Sequence, residues 1–183
     1  MSQHRSRTRK QTRSYPGQLN LNKKQIEQMR GEKSDQQITV QIAELCGKAN
    51  LSTARIEQLV NAVWTRFGTA KAIVSIAIVD DKRIRRLNEQ FLKRKRTTDV
   101  LSFNLSDSQN PNEKCFEIIV NAQLAARCAE QVQHSSQDEL ALYIVHGLLH
   151  QLGFDDQSPD QARKMHQTEQ QILQQLGYDF VYN

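Results

Sequence analysis

The stretch AIVSIAIV, residues 72–79, constrains the fold more than any other part of the chain. It is a nearly unbroken apolar run, rich in β-branched residues, of the length of one strand. Such a run suits a strand in the middle of a sheet, where neither face meets water. The segments around it then have to be the rest of a sheet and the helices that cover it. ITVQIAEL (38–45) alternates and reads as a second strand. DVLSF (99–103) and CFEIIV (115–120) read as two more, separated by the polar loop SDSQNPNEK. The helices follow from apolar stripes of period 3.6. STARIEQLVNAVWTRFG puts Ile56, Leu59, Val60, Val63, Trp64 and Phe67 on one face, with Ser52 as N-cap and Gly68 as the left-handed residue after the end. DDKRIRRLNEQFL carries its acids in the first turn, and AQLAARCAEQVQ is a further helix.

SSQDELALYIVHGLLHQLG is the most apolar helix, expected at the centre of the core, with Ser136 and Glu139 in capping-box spacing and Gly153 closing it. Ser158–Pro159 opens a last helix that Gly177 ends. The order β-α-β-α-β-β-α-α-α predicts an α/β (α+β) domain with a single mixed sheet of about four strands and packed helices.

Charge divides the chain. Residues 1–35 hold nine Lys or Arg against three acids, which leaves 16 basic and 17 acidic residues from position 36 onward. The net charge of +5 therefore belongs to the N-terminal tail, which lacks hydrophobic periodicity and is expected to be disordered. The domain is expected to span 36–183. A cationic arm suits a polyanion, or it serves only solubility. There is no apolar run of membrane-spanning length and no secretory leader, so a cytoplasmic protein is expected. Cys46, Cys115 and Cys128, an odd number without paired spacing, read as reduced core thiols.

Chemistry concentrates in HGLLHQLGFDD, 146–156. Positions i and i+4 of a helix stack on one face, so His146 and His150 point the same way, one turn apart. Gly153 can turn the chain back and bring Asp156 toward them. Three protein ligands with a fourth position open describe a catalytic metal site better than a structural one. The competing reading is a buried helix whose histidines are merely partnered core residues. His134 and His166 read as surface or helix-flank residues and His4 as part of the tail. Tyr143, Trp64 and the phenylalanines fit core positions rather than a base-stacking platform.

HGLLHQLGFDD resembles the H-G-x-L-H-L-x-G-Y-D-H signature of the YbeY-type endoribonucleases, the rRNA maturation factors of bacteria. LNEQFLKRKRTTDVLSF, 87–103, resembles that family's L-N-x-x-[YF]-R-x-x-x-x-P-T-D-V-L-S-F stretch, and LGYD near the end resembles its usual ending. The resemblance covers about residues 36–180. It implies a single YbeY-like catalytic domain with a zincin-like site on a central helix, one Zn2+ per chain held by His146, His150 and Asp156, and hydrolysis of single-stranded RNA during ribosomal RNA maturation. Ribosomal RNA and the ribosome or its assembly factors would be the partners.

The chain departs from the family pattern at four places. Asp156 stands for the third histidine, Leu92 for the arginine after the aromatic, Thr97 for the proline, and Phe116–Glu117 for Gly-Asp. Two histidines and a carboxylate also suit other divalent metals, iron among them.

A bound metal can lower the pKa of a water to about 7 and polarise a phosphoryl oxygen, and the charge on phosphorus needs cations around it. Those would come from 82–96. Arg94, two residues beyond Leu92, is the candidate catalytic arginine; Arg85, Arg86, Lys93, Lys95 and Arg96 are the candidate RNA contacts, with solvated surface charge as the plain alternative. Asp99, Ser102 and Asn104 could line a cleft, and Asp155 could orient the loop. Two rivals remain at this level. A metallopeptidase would need H-E-x-x-H, and Gly147 sits where its glutamate belongs. An RNA- or ribosome-binding factor with a structural metal would explain the missing arginine at 92.

Overall fold

The computed structural model describes residues 38–47, 50–69, 71–110, 112–132 and 135–178. The basic tail, His4 and His134 lie outside them. Four strands, β1 (Ile38–Glu44), β2 (Lys71–Val79), β3 (Val100–Asn104) and β4 (Glu113–Asn121), and five helices, α1 (Thr53–Phe67), α2 (Asp81–Leu92), α3 (Ala122–Val132), α4 (Ser136–Gln151) and α5 (Pro159–Gln175), follow in the expected order. The sheet runs β1-β2-β4-β3, with β1, β2 and β4 parallel and β3 antiparallel to β4. The apolar run 72–79 is thus an inner strand, paired on both edges. The polar loop is shorter than its composition suggests, because β4 starts at Glu113 and pairs there with Lys71.

The two sheet faces have different covers. Ile42, Ile76, Ile118 and Ser102 share one row of the register. That face, with Val74, Phe116 and Val120, joins the main core formed with α1, α4 and α5. On the other face Val79, Leu101 and Ile119 meet Ile84 in a smaller core, flanked by Leu87 and Phe103. The basic helix α2 therefore lies across the sheet from α4. Helix α4 packs on β3 and β4 and against α1, α3 and α5. Its buried residues fall on nearly every side, from Leu140 through Leu149, as a central helix requires.

Three local expectations change. The capping box on α4 is Ser135 with Asp138, one residue earlier than expected. Two overlapping Ser-x-x-acid frames compete there, and Glu139 is buried instead of capping. Gly68 ends α1 in an extended conformation, at φ −73°. Glycine is required there because a Cβ would sit 2.4 Å from the Trp64 ring. The three cysteines are unpaired and only partly buried, Cys46 packing against the edge of the main core. Among the described residues, no helix is long and apolar enough to cross a membrane.

Candidate metal centre

Helix α4 presents its two histidines toward the solvent-accessible rim of the core. His146 Nε2 and His150 Nε2 are 3.0 Å apart. Below them the chain reverses as the glycine suggested: Gly153 adopts φ +92°, and Phe154 N–H donates to the Leu149 carbonyl. Phe154 anchors the turn edge-on against Phe67, ring centroids 5.1 Å apart. Asp155 Oδ1 accepts from the Asp156 N–H at 2.8 Å, so Asp155 shapes the loop. Asp156 Oδ2 ends 4.0 Å from His150 Nε2. One donor atom from each of His146, His150 and Asp156 lies within 4.8 Å of the other two. Exposure rises across the three side chains, 19% for His146, 29% for His150 and 45% for Asp156, so the group opens to solvent on the aspartate side.

The donor set fits a divalent ion. His146 Nδ1 is 2.7 Å from Glu169 Oε1, and His150 Nδ1 is 3.2 Å from the Phe154 carbonyl. Both partners are pure acceptors, so both Nδ1 atoms carry hydrogen and both Nε2 atoms offer lone pairs. Two lone pairs facing each other at this distance repel unless a cation or a proton stands between them. Two nitrogens bound tetrahedrally at about 2.1 Å would lie about 3.4 Å apart, close to the spacing observed. Burial pulls the His146 imidazole down, but the hydrogen bond and charge of Glu169, with Asp99 and Asp156 nearby, outweigh it. The ring is held above the ordinary histidine value by these acidic neighbours.

Glu169 was not among the expected site residues. It is fully buried on α5, between Met165 and Thr168 on one side and Ile172 and Leu173 on the other. That stripe was itself the available signal, since an acid on an apolar helical stripe needs a polar partner. Gln151 was missed as well. Its amide donates to Ser102 Oγ at 2.7 Å and ties the histidine helix to β3. Asn104 caps a local turn by accepting from Ser106 N–H.

Gly147 gains a reason. A Cβ there would stand 2.8 Å from Val100 Cγ2 and 2.9 Å from Ile118 Cγ2. The helix rests directly on the sheet at this position, and the glutamate of a metallopeptidase could not be housed between the histidines.

The basic segment is separate from this group. Lys82, Arg83, Arg85, Arg86, Lys93, Arg94, Lys95 and Arg96 are all exposed, and so is Leu92, at 47%. Lys95 pairs loosely with Glu89 at 3.5 Å. Among the described residues no side-chain hydrogen bond or ion pair joins Arg94 to the three donors, yet the chain leads from one to the other. Asp99, five residues on from Arg94, accepts from Thr98 Oγ1 and helps raise the pKa of His146. Five residues span at most about 17 Å.

An α+β domain with a half-buried histidine pair, one ring backed by an acid and the other by a backbone carbonyl, and an exposed carboxylate closing the triad has the layout of a metal-dependent hydrolase. The comparisons narrow the class. The family model for endoribonuclease YbeY matches residues 25–177. An endoribonuclease YbeY of Anaeromyxobacter sp. is 33% identical over 140 residues, 76% of this chain and 73% of that protein. One from Carboxydothermus hydrogenoformans is 36% identical over 124 residues, 68% and 85% of the two chains. One from Nitratiruptor sp. is 44% identical over 85 residues, 46% and 58%. The chain belongs to the endoribonuclease YbeY family. It is accordingly an enzyme, a nuclease, and neither a peptidase nor a binding factor alone.

Proposed function

We propose that this chain is a zinc-dependent endoribonuclease that cleaves single-stranded RNA during ribosomal RNA maturation in the cytoplasm. Its domain would be 36–183, with 1–35 as a basic arm that adds affinity for RNA without sequence choice. The observation that carries the metal reading is the pair of imidazole Nε2 atoms 3.0 Å apart, each with its Nδ1 committed elsewhere. His146, His150 and Asp156 would hold one ion, Zn2+ by donor chemistry and spacing.

When bound, the ion supplies a Lewis acid for a phosphoryl oxygen and lowers the pKa of a coordinated water. The chain's own residues do the rest. Glu169 fixes the tautomer and angle of the His146 ring, and the Phe154 carbonyl does the same for His150. Asp156, the most exposed of the three, closes the site on the solvent side. Arg94 would offer its planar donors to the phosphate as charge develops, and Arg85, Arg86, Lys93, Lys95 and Arg96 would hold flanking phosphates. Ribosomal RNA, presented by the ribosome or its assembly factors, is the substrate this reading implies.

The test is cleavage of a single-stranded RNA by the purified protein, measured before EDTA, after EDTA, and after Zn2+ is returned. The reading expects cleavage, its loss, and its recovery. Cleavage that persists at full rate after the metal has been stripped would rule it out.

A further inference from the structure

We propose that Asn88 is a positioning residue for RNA: it latches the cationic loop 93–96 into one conformation, so that its four charges act as a fixed phosphate-binding edge. The inference rests on the reading of that loop as an RNA contact and adds what holds it in shape.

Asn88 lies in the last full turn of α2 and is only 2% exposed. It grips the loop twice. Its backbone carbonyl accepts from the N–H groups of Lys93 and Arg94. Its side-chain Nδ2 donates 2.8 Å to the carbonyl of Arg96. One residue thus fixes both ends of the Lys93–Arg96 run, whose four side chains are all exposed.

Two unfavourable features meet at the same place. Lys93 adopts φ 59°, ψ 28°, and it is the one non-glycine residue with positive φ among the described residues. A side chain with a Cβ resists that left-handed conformation, so the loop is held against its local preference. In addition, Asn88 Oδ1 is buried without a hydrogen-bond partner. The amide cannot be turned over to relieve this, because the exchange would set two acceptors face to face at the Arg96 carbonyl. A strained residue and an orphaned acceptor around one exposed loop are what a conformation kept for binding leaves in a structure. The main chain then runs from Arg96 through Thr98 to Asp99 beside His146, so fixing the loop also fixes the direction from which RNA would approach the metal centre.

The test compares Asn88→Ala with wild type, since the substitution leaves the charge of the protein unchanged. RNA affinity is measured against salt with a short single-stranded oligonucleotide. A single-strand phosphate contact contributes about 0.7 to the slope of log affinity on log salt. The latch predicts a slope shallower by about 0.7 to 1.4, with metal content retained, although no cation has been removed. An unchanged slope in a folded, metal-loaded Asn88→Ala would overturn it, because a helix-capping asparagine alone has no effect on phosphate contacts.

A variant with Lys93, Arg94, Lys95 and Arg96 all changed to alanine separates the two levels of the argument. If that variant keeps the wild-type slope, the loop does not bind RNA and the underlying reading fails. If it loses slope while Asn88→Ala does not, only the latch fails. Should Asn88→Ala not fold, Asn88→Ser and limited trypsin digestion of the wild type decide. The latched loop should resist cleavage after Lys93 to Arg96, compared with a free peptide of the same sequence. Equal rates of cleavage would show that no latch exists.

Discussion

The histidine helix and the cationic segment, the two regions on which the proposed chemistry rests, are built in opposite ways. At the candidate metal centre both imidazoles and the turn have fixed partners: His146 against Glu169, His150 against the Phe154 carbonyl, and the turn at Gly153 closed by backbone bonds. The cationic segment is exposed from Lys82 to Arg96 apart from its packing residues, and its one ion pair among the described residues spans 3.5 Å between two solvated side chains. Buried donors admit few arrangements, since each unsatisfied one is costly. Exposed cationic side chains admit many rotamers even where the backbone beneath them is held, because water satisfies them anyway. Changes in the first region should therefore act on metal and folding, and changes in the second on RNA alone.

The largest effect that would sharpen this contrast belongs to Arg94. In single-turnover cleavage at saturating RNA, Arg94→Ala is expected to lower the rate about a hundredfold, the size of a lost contact to developing charge. Its metal content and melting temperature should match wild type. A wild-type rate at saturation would return Arg94 to the solvated surface.

Glu169→Gln keeps the volume of the buried side chain and removes its charge. Metal affinity should fall about 10- to 100-fold, as is typical when the partner of a metal-bound histidine is lost. Competition with a chelating dye would measure it. Unaltered affinity would mean that the 2.7 Å contact serves folding only.

These two variants also mark how far sequence reasoning reached. The nine elements were legible because each has its own apolar period, and the histidine pair was legible because four residues make one helical turn. Asp156 could be placed from Gly153, whose φ of +92° makes the turn. Glu169 could not be assigned to His146 in the same way, because 23 residues and a second helix separate them. The order β1-β2-β4-β3 and the placement of α2 and α4 on opposite faces are likewise tertiary facts. The capping box slipped by one residue because Ser135–Asp138 and Ser136–Glu139 are equivalent until the core claims Glu139.

Gly147→Ala tests the packing beneath the site. The added methyl meets Val100 and Ile118 inside contact distance, so the helix must shift from the sheet. A loss of about 2 kcal/mol of stability is expected from denaturant unfolding, within the usual range for overpacking. A stability change below about 0.5 kcal/mol would mean that the interface gives way easily.

The smallest effect belongs to the tail. Deleting residues 1–35 removes nine cations, and RNA binding should weaken mainly at low salt, with a shallower salt slope and no change in metal content. An unchanged slope would make the tail a solubilising segment.

The central claim is that His146, His150 and Asp156 form one metal site. The most direct measurement is the metal content of protein purified without added metal, compared between wild type and Asp156→Ala. The account predicts close to one zinc per chain in the wild type and a clear loss in the variant, with the fold intact by circular dichroism. Equal metal in both proteins, or none in either after zinc has been offered, would contradict it.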